Sequence, residues 1–309
     1  MVMVKMMKKK QQNEEKSKSK PIIEVKVKFH KNRFKKLVKH SLEKFEYQFE
    51  EFAKHIKESL NKRIIEINFS KLNVDKKVSV IIPAYNEEER VLNVVKPALK
   101  SQYVGEVIVV DDGSKDRTYE VLKEFKESNK KLTEKLIIIK QKNKGKAGAM
   151  KTGVDKSHFD YVLFLDADLV GLRTKDIDKL ILPVVLGYVD LTLSLRKNSL
   201  EIFKMLKCDF VSGERCMHKS LLNDLWNKVK SGFGIEVVMN QKIIKEHLKY
   251  ASIEISAKNT VKTKKRGFIN GIKGEWEMLQ EIFHNVNSFL VLQQLLVMSS
   301  NQYKIIFKK

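Results

Sequence analysis

Two aspartates separated by one residue, Asp166 and Asp168, follow the apolar run Tyr161–Leu165. In an extended chain, side chains two positions apart lie on the same face, so the two carboxylates would repel each other. A hard divalent cation such as Mg²⁺ or Mn²⁺ relieves this repulsion, because it binds oxygen ligands and can hold a diphosphate at the same time. A polar loop after a strand accounts for the same residues without a metal.

Two further polar segments also follow apolar runs. They are Pro83-Ala84-Tyr85-Asn86-Glu87-Glu88 and Asp111-Asp112-Gly113-Ser114. A proline ends a strand, acidic residues suit the first turn of a helix, and Ser114 suits the N-cap of the helix that follows. Two adjacent carboxylates exceed what helix capping needs, so one of them could accept a hydrogen bond from a nucleotide base.

A third segment, Asn143-Lys144-Gly145-Lys146-Ala147-Gly148, combines small residues with lysines. At the start of a helix, free backbone N–H groups and neighbouring lysines attract phosphate. Glycine-rich helix starts are common, and by itself this segment indicates little. The sequence contains neither the Gly-x-Gly-x-x-Gly dinucleotide fingerprint nor a Walker A loop.

Apolar runs alternate with helical segments from Val78 onward. Buried strands are predicted at 78–82, 106–110, 136–139 and 161–165, and helices at 87–101, 114–126 and 146–156. Near-continuous Val, Ile and Leu in strands that alternate with helices predict an α/β fold, with a mainly parallel sheet flanked by helices. Ligands of such sheets bind at the carboxyl ends of the strands, where each of these polar segments falls.

In this order, the segments resemble the nucleotide-binding half of family 2 glycosyltransferases with the GT-A (Rossmann-like) fold, over residues 77–195. The resemblance implies a UDP- or GDP-sugar donor and an Mg²⁺ or Mn²⁺ ion. It implies that the nucleoside and its base are contacted by Pro83, Tyr85, Glu87, Asp111 and Asp112. It also implies that Lys146 lies by the nucleotide and that Asp166 and Asp168 flank the metal and the diphosphate, with Asp168 catalytic.

Three later segments resemble the branch that contains glucosyl-3-phosphoglycerate synthases and dolichyl-phosphate mannosyltransferases. They are Leu169–Arg173, Val211–Met217 and Gly232–Glu236. The resemblance implies that Arg215 and Glu236 bind the acceptor. If the transfer inverts the anomeric centre, Glu214 is the first candidate for the base that deprotonates the acceptor hydroxyl. If the transfer retains configuration, Glu214 and Arg215 only position the acceptor.

The chain departs from this branch downstream. A metal-ligand histidine is frequent there, whereas this chain has Asn259-Thr260-Val261-Lys262. The nearest histidines, His218 and His247, have the pattern of surface or helix residues. The Gln-x-x-Arg-Trp motif of processive synthases is absent, which argues against polysaccharide synthesis.

The net charge of +23 is concentrated before the first motif, where residues 1–77 hold 22 Lys and Arg against 10 Asp and Glu. Such a tail can keep a protein in solution, dock on anionic lipid or bind nucleic acid. The excess of lysine over arginine favours the first, and nucleic acid is the least expected. A phenylalanine-rich stripe from Phe34 to Leu60 predicts an amphipathic helix that packs on the protein or inserts into a lipid interface.

These patterns divide the chain into a basic, disordered tail (1–32), an amphipathic helix with a linker (33–76), a GT-A domain (77–265) and a helical C-terminal tail (266–309). Within the domain, we expect a nucleotide-sugar half at 77–195 and an acceptor half at 196–265. Two isolated cysteines, no apolar secretory signal and no apolar run of about 20 residues predict a cytoplasmic protein. Peripheral contact with the inner face of the membrane is the alternative.

The predicted activity is the transfer of one sugar to a hydroxyl or phosphate of a small anionic acceptor. Arg215 and the basic segment Lys262–Arg266 offer the countercharge. One alternative is a polyprenyl or dolichyl phosphate acceptor, with the phenylalanine-rich helix as a peripheral anchor. A scaffold or nucleic-acid-binding protein that kept the fold is another, although it would have no use for clustered carboxylates. The sequence does not indicate an oligomeric state.

Overall fold

The structure is a computed structural model that describes residues 54, 58–59, 63–68, 74–229, 234–259 and 288–308. The predicted basic tail, nearly all of the Phe34–Leu60 stripe and the segment Lys262–Arg266 lie outside these residues. The boundaries predicted for the tail, the linker and the two halves of the domain stay predictions.

The described strands are β1 (Ile64–Asn68), β2 (Val78–Ala84), β3 (Val104–Asp111), β4 (Leu136–Lys140), β5 (Tyr161–Phe164), β6 (Leu169–Val170), β7 (Leu191–Arg196), β8 (Arg215–His218), β9 (Tyr250–Ile255), β10 (Lys258–Asn259) and β11 (Lys304–Lys308). The described α-helices are α1 (Val91–Lys100), α2 (Thr118–Ser128), α3 (Gly145–Asp155), α4 (Thr174–Val185), α5 (Glu201–Met205), α6 (Ile235–Lys245) and α7 (Ser288–Asn301). Short 3-10 turns cover Lys219–Leu222 and Trp226–Lys228.

Seven strands form one mixed sheet in the order β4-β3-β2-β5-β8-β7-β9. All neighbouring pairs in this sheet are parallel except those of β8, which runs antiparallel to both β5 and β7. The central strands β2 and β3 are almost completely buried, as expected for Val- and Ile-rich strands that helices cover on both faces. The predicted α/β fold, with a mainly parallel sheet flanked by helices, is confirmed.

The connections of the chain reverse direction across the sheet at β2. The strands β3 and β4 lie on one side of β2, whereas β5 lies on the other. Such a reversal makes a topological switch point, where loops leave the carboxyl ends of adjacent strands in opposite directions and leave a crevice. The segments after β2, β3 and β5, which carry the predicted site residues, therefore converge at one edge of the sheet.

Two local predictions differ from the structure. Ser114 is not the N-cap of a helix, because α2 begins at Thr118. The backbone N–H of Ser114 donates instead to Asp111 Oδ1, and Asp116 Oδ1 accepts from the backbone N–H of Thr118. The helix expected from Glu87 begins at Val91, after a turn.

The chain termini add a feature that periodicity did not predict. The strand β1 lies in the expected linker and pairs in parallel with β11, at the end of the expected helical tail. The helix α7 precedes β11 within that tail. Among the described residues, no helix is both long and apolar enough to cross a membrane.

Candidate active site

The sheet opens between β2 and β5 just before the first predicted motif. Their pairing ends at Ile81 and Phe164, whereas β2 stays paired with β3 as far as Ala84 and Asp111. Pro83 lies where the pairing with β5 has ended, and a proline cannot donate a ladder hydrogen bond. The space where β2 and β5 are no longer paired lies at the bottom of a cavity at the carboxyl ends of the strands.

This cavity has a volume of about 280 Å³ and joins residues from all four of the predicted segments. Its walls consist of Pro83, Ala84, Tyr85, Glu87, Asp112, Lys146, Ala149, Asp166, Ala167 and Asp168. A larger cavity of about 850 Å³ runs along β9 and β11, and its described lining contains no predicted site residue. The smaller cavity is therefore the candidate active site, because that is where the clustered charges lie.

The adjacent aspartates after β3 have different environments. Asp112 Oδ1 accepts hydrogen bonds from Gln141 Nε2 at 2.6 Å and from the backbone N–H of Lys144 at 2.8 Å. These bonds hold its carboxylate in the cavity wall. Asp111 is completely buried, and its Oδ2 has no hydrogen-bond partner among the residues that the structure describes. Asp112 is therefore the better placed of the two to accept a hydrogen bond from a ligand.

The segment after β2 contributes an exposed aromatic ring and a paired carboxylate. Tyr85 is 43% exposed, and its ring is available for stacking. Glu87 Oε2 accepts from Arg90 Nε at 2.6 Å, and the backbone N–H of Glu87 donates to Thr118 Oγ1 at 2.7 Å. The second bond ties this segment to the start of α2, so the two strand-end segments support each other.

Lys146, in the first turn of α3, links two carboxylates that are far apart in the sequence. Its Nζ lies 2.7 Å from Asp166 Oδ1 and 2.9 Å from Glu236 Oε1. Desolvation alone would lower the pKa of Lys146, but Asp166 and Glu236 outweigh it and raise that pKa. Lys146 is therefore a fixed positive charge at the cavity, which suits a site for a phosphate group.

The ionised form of the Asp168 carboxylate is disfavoured in this structure. Burial raises the pKa of Asp168, and the negative charges of Asp166 and Glu87 raise it further, against the opposing effect of Arg90 and Arg196. A divalent cation next to this carboxylate would favour its ionised form. The donor chemistry at Asp166 and Asp168 therefore fits Mg²⁺ or Mn²⁺, which prefer carboxylate oxygens.

These two aspartates alone would not complete the coordination of such an ion. Within the described ranges, no group of three or more His, Cys, Asp or Glu side chains is arranged to hold a metal. Mg²⁺ commonly takes one or two carboxylates from the protein and fills its other positions with water and substrate phosphates. The residues present fit a metal that is shared with a bound diphosphate.

Glu214, predicted to be the general base, lies outside the cavity lining. It has no exposed surface, and its Oε2 accepts from Ser194 Oγ and from Ser212 Oγ, the latter at 2.7 Å. Its Oε1 lies 3.3 Å from Arg196 Nη1, and the same guanidinium contacts Asp209 at 3.2 Å. A buried carboxylate enclosed by these partners is closed to an acceptor, so its geometry argues against the base role.

Arg215, predicted to bind the acceptor, is also completely buried. Its guanidinium donates to Ser212 O, Phe210 O and Asn240 Oδ1, each at 2.8 Å. All three partners are neutral and belong to the protein interior. The structure therefore places Arg215 where it organises the chain before β8, and not where it could contact an acceptor.

Glu236, the remaining residue of the expected acceptor half, reaches the donor motifs through Lys146. It lies in the first turn of α6, where the helix dipole favours an anion. Burial alone would raise the pKa of Glu236, but Lys146 and Arg215 lower it. Glu236 is thus an ionised carboxylate between two cations.

Sequence reasoning missed three residues near this site: Arg90, Arg196 and Gly213. Both arginines favour the ionised form of Asp168, and Arg196 also holds Glu214. Gly213 lies directly against Lys146 and Asp166. The sequence offers no signal for Arg196 beyond its position at the end of a strand. Gly213 has no signal of its own and is only part of the longer segment Val211–Met217.

The cavity lies at a topological switch point and contains a lysine held by two carboxylates beside two aspartates at a strand end, an arrangement that suits a phosphate group and a metal. The chain belongs to glycosyl transferase family 2, whose profile matches residues 79–248. The chain is therefore an enzyme of a family whose name describes the transfer of a glycosyl group.

Curated relatives match this chain over its donor half. The poly-beta-1,6-N-acetyl-D-glucosamine synthase of Staphylococcus aureus (strain COL) is 33% identical over 120 residues, which cover 38% of this chain and 27% of that protein. The UDP-N-acetylglucosamine–dolichyl-phosphate N-acetylglucosaminyltransferase of Methanococcus voltae is 39% identical over 124 residues, which cover 36% of this chain and 48% of that protein. The chain thus spans about a quarter to a half of the length of these relatives.

Among solved structures, the chain is similar to glucosyl-3-phosphoglycerate synthase from Mycobacterium tuberculosis, which was solved with Mn²⁺, UDP and phosphoglyceric acid. The TM-score is 0.50 and the identity 20%, and the match covers 70% of this chain and 79% of the other. At this identity, the similarity establishes the GT-A fold and no more.

Proposed function

We propose that this glycosyltransferase moves a single sugar from a UDP- or GDP-sugar to a hydroxyl or phosphate of a small anionic acceptor, with Mg²⁺ or Mn²⁺. The observation that carries the proposal is the ion pair between Lys146 Nζ and Asp166 Oδ1, at 2.7 Å, in a cavity that Asp112 and Asp168 also line. Clustered anions beside a fixed cation suit a ligand that brings both a metal and a diphosphate.

The nucleoside end of the donor belongs at the β2 and β3 side of the cavity. Tyr85 offers an exposed ring for the base or ribose, and Pro83 and Glu87 form the adjacent wall. Asp112 is oriented by Gln141, so its carboxylate can accept a hydrogen bond from a base N–H. Both curated relatives named above act on N-acetylglucosamine, and one name specifies a UDP donor, which favours UDP over GDP.

The diphosphate belongs beside Lys146, Asp166 and Asp168. The metal, when bound there, would supply Lewis-acid stabilisation of the nucleoside diphosphate that leaves. Lys146 would add a second positive charge where negative charge develops, which lowers the barrier more than it favours the ground state. Asp166 holds the ammonium of Lys146 in place, and Glu236 holds it from the other side.

The acceptor assignment rests on one solved structure and one exposed cation. The solved glucosyl-3-phosphoglycerate synthase binds phosphoglyceric acid, a small anion, and shares the fold. With Arg215 buried, the exposed part of Lys146 is the described cation best placed to meet an anionic acceptor near the donor. Glu214 then stabilises the chain around Arg196, and Glu236 positions Lys146.

A polyprenyl phosphate acceptor is the second candidate, and one observation favours it. The relative from Methanococcus voltae, which acts on dolichyl phosphate, is 39% identical over the matched residues. Sedimentation with anionic liposomes separates the candidates. If the N-terminal region is a lipid anchor, the full chain should pellet and a protein that begins at Asn73 should stay in the supernatant while remaining active. If the region packs on the domain, the shortened protein should instead be destabilised.

Melting temperatures with nucleotides and metals test the donor assignment. UDP or GDP should raise the melting temperature in Mn²⁺ and have little effect in EDTA, because Asp166 and Asp168 repel a bare diphosphate. A ligand at about 100 times its dissociation constant adds roughly 2.7 kcal/mol to the free energy of unfolding. ADP serves as the matched control for non-specific binding of a diphosphate. No shift with any nucleotide in Mn²⁺ would contradict the proposal.

A further inference from the structure

The C-terminal helix α7 contacts the helix that carries Glu236 through a buried amide. Gln294 has no exposed surface, and its Nε2 donates to the carbonyl oxygen of Val237 at 3.1 Å. Val237 directly follows Glu236 in the first turn of α6. The side chain of Gln294 therefore holds the backbone next to the carboxylate that contacts Lys146.

The same amide belongs to a chain of buried hydrogen bonds. Gln294 Oε1 accepts from Asn240 Nδ2 at 3.0 Å, and Asn240 Oδ1 accepts from Arg215 Nη1 at 2.8 Å. Arg215 and Asn240 Nδ2 both donate to the carbonyl oxygen of Phe210, each at 2.8 Å. All three side chains are completely buried. The network thus connects α7 and α6 with the segment that leads to Gly213.

We infer that Gln294 is a positioning residue of this enzyme, which holds Glu236, and through it Lys146, in the donor site. The inference rests on the proposed role of Lys146 at the nucleotide. Gln294 lies outside residues 79–248, the part of the chain that matches the family profile. The structure therefore makes the C-terminal tail part of the catalytic unit.

The physical reason is the cost of burying polar groups. An unpaired buried amide or guanidinium is costly, so the three side chains must keep one arrangement for each to retain its hydrogen bonds. An apolar contact between α7 and α6 would tolerate small shifts, because packing is not directional. A shift of α6 along α7 would break these bonds and move Glu236 away from Lys146.

The reactivity of Lys146 tests this inference without any substrate. Lys146 is 42% exposed, so an amine-reactive reagent can reach it, and only the neutral amine reacts. In the full-length protein, Glu236→Gln should raise the labelling rate of Lys146, followed by mass spectrometry. We expect the rate to rise by about tenfold, because Nζ then keeps only one of its two carboxylate contacts. Gln294→Met, of similar volume, should raise the same rate in the same direction.

Gln302→Met is the matched control. Gln302 is also a buried glutamine of the C-terminal region, but its Nε2 donates to Leu206 O at 3.0 Å and to Ser299 O, and not to α6. This variant loses comparable hydrogen bonds and should leave the labelling of Lys146 unchanged. If Gln294→Asn or Gln294→Met labels within about twofold of the wild type, while Glu236→Gln does not, the inference is overturned. Equal increases in the Gln302 and Gln294 variants would also overturn it.

A second variant, a double variant and a nucleotide-binding measurement complete the test of Gln294. Gln294→Asn keeps a polar amide that is too short for both contacts, so it gives a reading if the methionine variant does not fold. The double variant Gln294→Met with Glu236→Gln should label no faster than Glu236→Gln alone, since both act on one contact. Additive rates would contradict the inference. A failure of UDP and Mn²⁺ to bind would overturn the donor assignment and leave the labelling result intact.

Discussion

A Cβ atom on Gly213 would lie 2.6 Å from Nζ of Lys146, so these two residues leave no room for a methyl group between them. The same atom would lie 2.9 and 3.1 Å from the carboxylate oxygens of Asp166. The backbone at Gly213 does not have a positive φ, so another residue could adopt its conformation. Glycine is required here because there is no space for a side chain beside the Lys146–Asp166 ion pair, and not because of the backbone conformation.

Gly213→Ala should therefore separate Lys146 from Asp166, because the end of a lysine side chain yields more easily than the backbone. We expect the transfer rate to fall by at least about tenfold, which corresponds to about 1.4 kcal/mol of barrier. The melting temperature should change little. Steady-state kinetics with the donor that the nucleotide screen identifies, together with thermal melts, would measure both.

Gly187→Ala is the control for that variant. Gly187 follows α4 at the end remote from the cavity and has a φ of +77°, and a Cβ there would have no described atom within 4 Å. This substitution should cost about 1–2 kcal/mol of stability through the left-handed backbone and leave the transfer rate unchanged. A Gly213→Ala protein that keeps wild-type activity would show that the Lys146–Asp166 pair does not support the reaction.

Asp168→Asn should abolish most activity without lowering stability. The raised pKa of Asp168 means that its ionised form is disfavoured in the metal-free protein, so a neutral amide relieves repulsion. We expect a metal-free melting temperature equal to or above that of the wild type and more than a tenfold loss of turnover, over 1.4 kcal/mol. Asp155→Asn, an exposed change on α3, should alter neither quantity. Retained activity in Asp168→Asn would exclude this carboxylate as a metal ligand.

Glu214→Gln and Glu236→Gln should affect the protein in different ways. The first leaves Arg196, whose side chain is 11% exposed, with Asp209 as its remaining carboxylate, so it should lower the free energy of unfolding by about 2 kcal/mol or more. The second removes a carboxylate that contacts Lys146 in the cavity wall and should mainly reduce transfer. Urea unfolding and kinetics on both variants would measure the contrast. If Glu214→Gln is fully stable yet inactive, Glu214 is restored as the candidate base.

Glu106 predicts a pH dependence of stability at the end of the sheet opposite the cavity. Burial opposes its ionisation, but hydrogen bonds from Ser79 Oγ and from the backbone and ring of His158 hold the pKa of Glu106 below its usual value. A lowered carboxyl pKa stabilises the fold above the unfolded pKa, and this contribution is lost as pH falls through the folded pKa.

Glu106→Gln should therefore lower the melting temperature at pH 7, by an amount that corresponds to about 1.5–3 kcal/mol for hydrogen bonds to a charged group. The difference from the wild type should shrink as the pH is lowered through and below the usual carboxyl range. Activity should be unaffected, because Glu106 is remote from the cavity. A constant difference from pH 7 to the acid limit would indicate that the ionised form of Glu106 contributes nothing.

The strands and the location of the donor motifs could be predicted from the sequence because both depend on short-range pattern. Runs of Val and Ile, such as Val78–Ile82, must be buried wherever they pack, and polar residues at their ends must emerge at the edge of the sheet. This argument brought Asp112, Lys146 and Asp166 to one edge, where the structure has them lining one cavity.

The roles within the second half could not be predicted in this way. The sequence predicts Glu214 as the base and Arg215 and Glu236 as acceptor-binding residues, but the burial of each depends on partners far along the chain. Arg215 donates a hydrogen bond to Asn240, and Glu214 forms an ion pair with Arg196. Glu236 forms an ion pair with Lys146, beside the donor motifs.

The sequence by itself determined the fold class and the carboxyl-end position of the donor motifs, because local periodicity suffices for these. It also determined the family, through the resemblance that the motifs carry in their order along the chain. Only the tertiary structure decided which charged side chains face the cavity and which are locked inside. The physical reason is that burial raises the cost of an unpaired charge or polar group. The partners that offset this cost, such as Arg196 for Glu214 or Gln294 for Asn240, are distant in the sequence and are brought together only by packing.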